Sequence, residues 1–312
     1  MAKDFFEIIE QYDTLALFRH VFPDGDALGS QFGLKLWLEE AYPDKRIVAL
    51  GDNENADSAF PISDTISDEA LKNACAIILD TANVDRIDDQ RYKLCDTVIK
   101  IDHHPVVESY GDLNLVEEQA CSTCEVLTKL LMGVKDTCSK AAASYLYCGL
   151  LTDSQKFSIP SVSAQTMACA AWLSAQGVDI SALNHQMFAT DLKSFRFEAY
   201  LKNTCTIIDD QLIYKIIEQE EYERFGLSFI EAKDKVNAFA GISGIEVWAL
   251  FTRNPNEEGH LYNGSLRSYR KTINDIANEY HGGGHKLASG VKKLTRLDID
   301  ELLSRLMKRI AE

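Results

Sequence analysis

Thr97-Val98-Ile99-Lys100-Ile101-Asp102-His103-His104-Pro105 reads as an apolar, β-branched strand that runs directly into an acid and two imidazoles. β-Branched residues favour extended chain. A titratable triplet after a buried strand is a candidate site rather than a turn. Working outward, three more acidic clusters have the same placement, each at the C-terminal end of an apolar segment. They are His20 to Asp26 after Leu15–Phe18, Asp80 after Ala76–Leu79, and Asp153 after Gly149–Leu151. Four such clusters look like one metal site assembled from separate loops.

The first half of the chain alternates apolar runs with helical patterns. Leu15–Phe18, Arg46–Leu50, Ala74–Leu79 and Thr97–Ile101 read as strands, and Leu28–Glu40 as the helix after the first, with Leu34, Trp37 and Leu38 on one face. Near-continuous apolar strands with helices between them predict an α/β fold with a doubly wound, mostly parallel sheet. Such sheets place ligands at the carboxyl ends of their strands, where the clusters fall. From Ser122 to Leu183 the pattern is mostly helical, including Cys138–Leu151 and Ala164–Ala175.

From Thr204 the style changes. Cys205–Ile208 and Leu212–Ile217 flank Asp209-Asp210 as a hairpin. Ser228–Ala240 reads as a helix, Gly244–Thr252 and Leu261–Arg267 as strands, Ile273–Tyr280 as a short helix before Gly282-Gly283-Gly284-His285, and Ile299–Ile310 as an amphipathic helix. The expected layout is a catalytic domain over residues 1–183, a connecting helix and linker over 184–203, and a smaller α/β domain with a mixed sheet over 204–312, with a cleft between the domains.

A chain of 312 residues with 46% hydrophobic residues can bury two cores. No stretch approaches the ~18 apolar residues of a membrane span. Met1 to Glu7 is acidic and amphipathic and lacks the layout of a signal peptide, so cytoplasmic residence is expected and membrane partners are not. The formal charge of −16 argues against tight binding to long nucleic acid, duplex included, but leaves room for a small phosphorylated ligand. The eight cysteines are scattered. Cys121-Ser122-Thr123-Cys124 is the only C-x-x-C. With no second pair, its plain reading is a helix start capped by Ser122 or Thr123, with Glu125 in the first turn.

Each cluster has a bland alternative. His20-Val21-Phe22-Pro23-Asp24-Gly25-Asp26 could be a capped turn, with Asp26 capping the next helix. Asp80 could be a cap before Val84, and His103 with His104 a surface pair. Asp153 closes a helical run, where a carboxylate opposes the helix dipole, so something positive should compensate it. Taken together, His20, Asp24, Asp26, Asp80, His103 and Asp153 offer imidazole and carboxylate ligands with no cysteine. That set suits manganese, magnesium less well, and does not select zinc. Carboxylates in excess of one ion's needs suggest two ions with a bridging acid.

In the second domain, Asn263-Gly264-Ser265-Leu266-Arg267-Ser268 ends a strand with hydroxyls and a guanidinium. Gly282-Gly283-Gly284-His285 can bring backbone N–H groups and an imidazole to an anion. Ser265, Arg267, Ser268, Gly283, Gly284 and His285 are the candidate clamp for the far end of a phosphorylated substrate, although a glycine triplet is often only a loop.

With these residues in view, the chain resembles the DHH phosphoesterase superfamily, whose signature is matched by Asp102-His103-His104. The family's metal motifs appear in order as His20 to Asp26, Asp80, Asp102 to His104, and Asp153, and Gly282 to Gly290 resembles the hallmark of the DHH-associated C-terminal domain. The likeness runs from about residue 14 to 291. The short two-domain layout is most similar to the branch that degrades very short RNA and dephosphorylates pAp. One departure is Ser289, where many relatives carry alanine; serine is small, so little consequence is expected.

The resemblance implies that His20, Asp24 and Asp80 hold one manganese ion. Asp26, Asp80, His103 and Asp153 hold the second, with Asp80 bridging, and magnesium or cobalt could substitute. It implies that His104 faces the scissile phosphate, that Asp102 orients from behind, and that Arg267 and His285 bind the substrate's other phosphate or base end. The expected reaction is metal-dependent hydrolysis of dinucleotides such as pApA or pGpG, oligomers of a few residues, and pAp, by a hydroxide shared between the metals. Three other readings stay open. They are a manganese-dependent inorganic pyrophosphatase, a RecJ-type single-strand exonuclease, and a nucleotide-sensing module without hydrolysis. A homodimer is compatible with this layout.

Overall fold

Five short apolar strands form the first sheet: β1 (Thr14–Phe18), β2 (Arg46–Ala49), β3 (Ala74–Leu79), β4 (Thr97–Asp102) and β5 (Leu113–Val116), all parallel, in the order β2-β1-β3-β4-β5. The computed structural model describes residues 2–54 and 56–312, and the chain divides between Ala189 and Thr190 into two units. Every residue of β3 is buried, because helices and loops cover both faces of the sheet. One face packs Leu15, Leu17, Ile77, Ile99 and Ile101 against α1 (Ala2–Ile9), α2 (Gly25–Ala41), α4 (Thr123–Met132), α5 (Lys140–Asp153) and α6 (Ala164–Ala175). The other packs Phe18, Val48, Ile78 and Tyr92 with Leu71 of the one-turn helix α3 (Asp68–Leu71).

Register decides where the site lies. Phe18 pairs with Ile78, and Leu79 pairs with Ile101, so β1, β3 and β4 end at one level. His20 and Asp80, just past β1 and β3, and Asp102, the last residue of β4, therefore emerge at the same edge. The four-strand reading missed β5. Its sequence, Leu113-Asn114-Leu115-Val116, is short, contains an asparagine and buries only Leu115, as an edge strand does.

The second unit holds a mixed six-stranded sheet of β6 (Thr206–Ile208), β7 (Leu212–Ile217), β8 (Val247–Arg253), β9 (Tyr262–Ser268), β10 (Gly283–His285) and β11 (Ala288–Leu294), in the order β10-β11-β9-β8-β7-β6. Only β7 and β8 pair in parallel. Asp209 and Asp210 both adopt left-handed backbone at the β6–β7 turn, the geometry of the expected hairpin. One core lies under the C-terminal helix (Arg296–Ala311), with Leu266, Leu302 and Leu306. The other lies on the opposite face, around Phe197, Leu250 and Phe239.

Three details differ from the sequence reading. The expected helix over 228–240 is a short α-helix, Phe229–Lys233, followed by a 3-10 segment, Asp234–Phe239. The glycine run is β10, paired with the unanticipated β11, rather than a loop. The stretch read as connector belongs to two helices. Ile180–Phe188 packs its Leu183 and Phe188 on the first unit's core, and Leu192–Thr204 buries Phe197 and Leu201 in the second. No helix among the described residues is long and apolar enough to cross a membrane.

Candidate active site

The six side chains expected to share a site do so. His20 follows β1, and its Nε2 lies 3.4 Å from Asp80 Oδ2 and 3.9 Å from Asp24 Oδ1. His103 Nε2 lies 3.2 Å from Asp153 Oδ2, 3.5 Å from Asp80 Oδ1 and 4.0 Å from Asp26 Oδ2. His20, Asp24 and Asp80 form one set of potential ligand atoms within 4.8 Å of one another; Asp26, His103 and Asp153 form a second; and Asp80, His103 and His104 a third. Asp80 therefore sits between the groups, one oxygen toward His20 and the other toward His103. Its backbone is left-handed at φ 54, a conformation that aspartate tolerates better than most residues.

Local structure explains how each ligand is held. Asp24, not Asp26, is the N-cap of α2. Its Oδ1 accepts from the N–H groups of Asp26 and Ala27 at 3.0 and 3.1 Å. That frees the buried Asp26 to turn inward, where its two oxygens accept from the N–H groups of Thr123 and Cys124 at 2.6 and 2.9 Å. These are the first amides of α4, so the helix N-terminus faces a carboxylate, as its dipole favours. Thr123 Oγ1 donates to Asp80 Oδ1 at 3.0 Å. The C-x-x-C is therefore a helix start capped by Ser122, as read, and it is also the frame behind two candidate ligands. The role of Thr123 had no signal beyond its place after that cap. A Cβ at Gly149 would lie 2.3 Å from Cys124 Sγ and 2.8 Å from Asp26 Oδ1, so only glycine lets α5 pass here.

Two of the histidines are held the same way. His20 Nδ1 lies 2.8 Å from the carbonyl of Val21 and His103 Nδ1 3.3 Å from that of Ala120. A carbonyl only accepts, so each Nδ1 donates there and each Nε2 is the atom turned toward the carboxylates. His104 is held differently, with its Nδ1 2.8 Å from Asp102 Oδ1, which also accepts from the N–H groups of His103 and His104.

The electrostatics describe a pocket in which carboxylates crowd one another. Burial and the neighbouring carboxylates push Asp80 well above the ordinary carboxylate range. They push Asp153 up to about 9, and they raise Asp26, against a smaller opposing pull from His103. Two buried acids and a half-buried third, Asp153, that resist ionising together would be relieved by a positive group between them. Burial also pushes the Asp102 carboxyl up, but the His104 hydrogen bond and charge, a backbone N–H and Lys100 outweigh it, and Asp102 stays below the usual range. His104 is raised, first by its hydrogen bond to Asp102 and, against burial, by the charges of Asp80, Asp102 and Asp26. The Cys124 thiol, buried beside Asp26, is pushed well up and is no thiolate ligand.

In the second unit, register puts His285, Ala288, Arg267 and Trp248 in one row across β10, β11, β9 and β8. Directly opposed residues share a face, so Arg267 and His285 stand on the same side with only the methyl of Ala288 between them. Gly283, Gly290 and Ser265 form the next row on that face. Arg267 donates from Nη1 to the carbonyl of Leu266 at 2.9 Å and makes no ion pair among the described residues. Ser268 does not join it. It falls on the opposite, core-facing side with Leu266, and its hydroxyl accepts from the Lys271 N–H at 2.8 Å. Ser265 shares Arg267's face, with its hydroxyl 3.4 Å from the Lys233 carbonyl. Gly284 is needed for the chain path, with φ 134 and a Cβ position 2.5 Å from the Ala288 carbonyl, whereas a Cβ at Gly283 would meet nothing closer than 3.4 Å. Ser289 is buried and donates to the His285 carbonyl at 3.0 Å, so the serine is accommodated.

The DHH family N-terminal domain matches residues 14–150, and the DHHA1 domain matches residues 209–312. The chain is 36% identical over 298 residues to a probable bifunctional oligoribonuclease and PAP phosphatase, NrnA, of Streptococcus mutans, covering 96% of this chain and 95% of that protein. It is 34% identical over 309 residues to the bifunctional oligoribonuclease and PAP phosphatase NrnA of Bacillus subtilis, covering 98% and 97%. Its fold matches that of an exopolyphosphatase-related protein from Bacteroides fragilis, with TM-score 0.86 and 23% identity over 99% of this chain and 95% of that one. Near-complete matches at this level of identity, with the Asp102-His103-His104 signature at the end of a central parallel strand, make the chain a member of the DHH family.

Proposed function

We propose that this DHH-family hydrolase is a manganese-dependent phosphodiesterase and phosphatase that cleaves very short oligonucleotides, such as pApA or pGpG, to mononucleotides and converts pAp to AMP. One observation carries the reading: two sets of carboxylate and imidazole ligand atoms flank a single buried aspartate, Asp80. The relatives named as oligoribonucleases and PAP phosphatases support it over nearly the whole chain.

The residues fit a pair of divalent ions. His20, Asp24 and Asp80 are the holders of one, and Asp26, Asp80, His103 and Asp153 of the other, with oxygen and nitrogen donors and no thiolate, a set that suits manganese. When bound, such ions supply a hydroxide at neutral pH and neutralise charge on the phosphoryl oxygens. The remaining work falls to the chain's own groups. Asp102 takes the His104 Nδ1–H, which leaves Nε2 to meet the phosphate or carry a proton to the leaving oxygen. In the second unit, Arg267 and His285 hold the substrate's other phosphate or base on a face kept clear by Gly283, Ala288 and Gly290.

A manganese-dependent digestion series tests this, from pAp through two- to ten-residue oligonucleotides, with pyrophosphate and long single strands beside them. Turnover of pAp and the shortest oligomers, lost with chelator, is expected. Preference for pyrophosphate or for long strands would replace the proposal with one of those activities, and binding without hydrolysis would make the chain a sensor.

A further inference from the structure

Lys100 is the anomaly of the first sheet. It occupies the middle of an interior parallel strand, between Ile78 and Asn114 of its neighbours, and is completely buried. Lysine is almost never fully buried unless paired, and a buried ion pair is often no more stable than the apolar residues that could replace it. The ammonium is well provided for. It donates to the carbonyls of Ala82 and Glu108 at 2.9 and 3.2 Å and lies 4.8 Å from the centre of the Tyr110 ring. Tyr110 in turn donates to the carbonyl of Thr81, the residue after Asp80.

The remaining partner is Asp102. Lys100 Nζ lies 3.2 Å from Asp102 Oδ2, and both side chains are wholly buried. That oxygen has no aligned hydrogen bond at all. The contact with the ammonium is therefore one of charge, and Oδ2 depends on it. Oδ1 takes every hydrogen bond the carboxylate makes, from the N–H groups of His103 and His104 and from His104 Nδ1. The two ends of Asp102 are thus sorted, with a cation behind and the imidazole in front.

We infer that Lys100 is a positioning residue for the reaction: its buried charge holds the Asp102 carboxylate in the one orientation that presents His104 to the substrate. This inference rests on the proposed role of His104. It goes beyond the ligand set, because Lys100 reaches neither ligand atoms nor substrate and acts only through Asp102.

A double-mutant cycle between Lys100→Met and Asp102→Asn tests it in the manganese-loaded enzyme. Lys100→Met is expected to lower kcat by about 10–100-fold, the range for partners that orient a site histidine, with KM and metal stoichiometry unchanged. The double variant should lose no more than Asp102→Asn alone. Losses that multiply would overturn the inference, since a lysine that merely braces the loops costs the same in either background. If Lys100→Met does not fold, Lys100→Gln keeps donors for the two carbonyls and removes only the charge, and the same cycle applies. A second readout needs no turnover. In the metal-free protein, nitrogen-labelled histidine NMR should show the His104 Nδ1–H protected from exchange in the wild type and exposed in the Lys100 variant; equal protection in both would overturn the inference. A wild-type enzyme with no manganese-dependent hydrolysis would instead sink the functional reading and this role with it.

Discussion

The pocket of the first unit and the sheet face of the second solve opposite problems. The first gathers charge that does not want to gather. Asp26 and Asp80 are held by the N-terminus of α4 and by Thr123, Asp153 is brought to them by the end of α5, and burial raises all three carboxyls. The second clears space. Arg267, half-buried between Ala288 and Trp248, and the exposed His285 stand on a face whose other near neighbours are Gly283, Gly290 and Ser265, and neither makes an ion pair among the described residues. On the proposed function, chemistry belongs to the preorganised, charge-crowded region and selection to the other. Electrostatic preorganisation is where rate is generated, while contacts to remote parts of a substrate govern which molecule is held.

Four measurements would break or sharpen that contrast. Asp80→Ala should have the largest effect, lowering kcat by on the order of 1000-fold or more, beyond the range for outer partners, with the fold retained by circular dichroism. Near-normal turnover in this variant would remove Asp80 from the centre of the site. Thr123→Val, which deletes one hydroxyl bonded to Asp80, should cost about 10–100-fold in activity or metal affinity, recovered in part by raising manganese. If the variant matches wild type, α4 is a scaffold and nothing more. Arg267→Ala should raise KM for dinucleotides by about 10–100-fold, the worth of a charged hydrogen bond, while kcat changes little. An unchanged KM, or an equal loss on a small phosphodiester with no second phosphate, would dissolve the division of labour.

The smallest effect is on stability. Burial, with the neighbouring carboxylates, pushes Asp153 up to about 9, far above the ordinary carboxylate range, and Asp26 and Asp80 shift the same way. An acid whose folded pKa is raised contributes its full stability below the unfolded value and loses it as pH rises through the folded one. Chelated protein should therefore melt at progressively lower temperature from pH 5 toward pH 9, and the rise in Tm on adding manganese should grow over the same window. A manganese-induced shift that is flat with pH would show that the carboxylates do not exchange protons for metal.

Much of this was legible in the chain. Residues 74–79 and 97–102 are near-continuous apolar runs, and only a strand covered on both faces reads that way, so the parallel sheet and the level of its functional edge followed. The gathering of His20, Asp24, Asp26, Asp80 and His103 followed because each lies just beyond the end of such a strand, whereas Asp153 closes the helix α5. Other features left no such trace. β5 is too short and too exposed to stand out from a loop. Asp24 and Asp26 flank one glycine and compete for one cap, and nothing local says which of them turns inward. Ser268 is next to Arg267 in the chain, yet the period of two in a strand sends it to the opposite face.

By itself, the sequence determined the α/β architecture of the first unit, the loops that carry the acids and histidines, and the family signature, because periodicity and strand-end placement are local properties. Tertiary structure alone decided that α4 reaches back to hold Asp26 and Asp80, that Arg267 and His285 share one row across three strands, and that a lysine inside an apolar run stands behind Asp102. Those relations join residues far apart in the chain or on different strands, and only packing brings one carboxylate oxygen to its donor and the other to a buried charge.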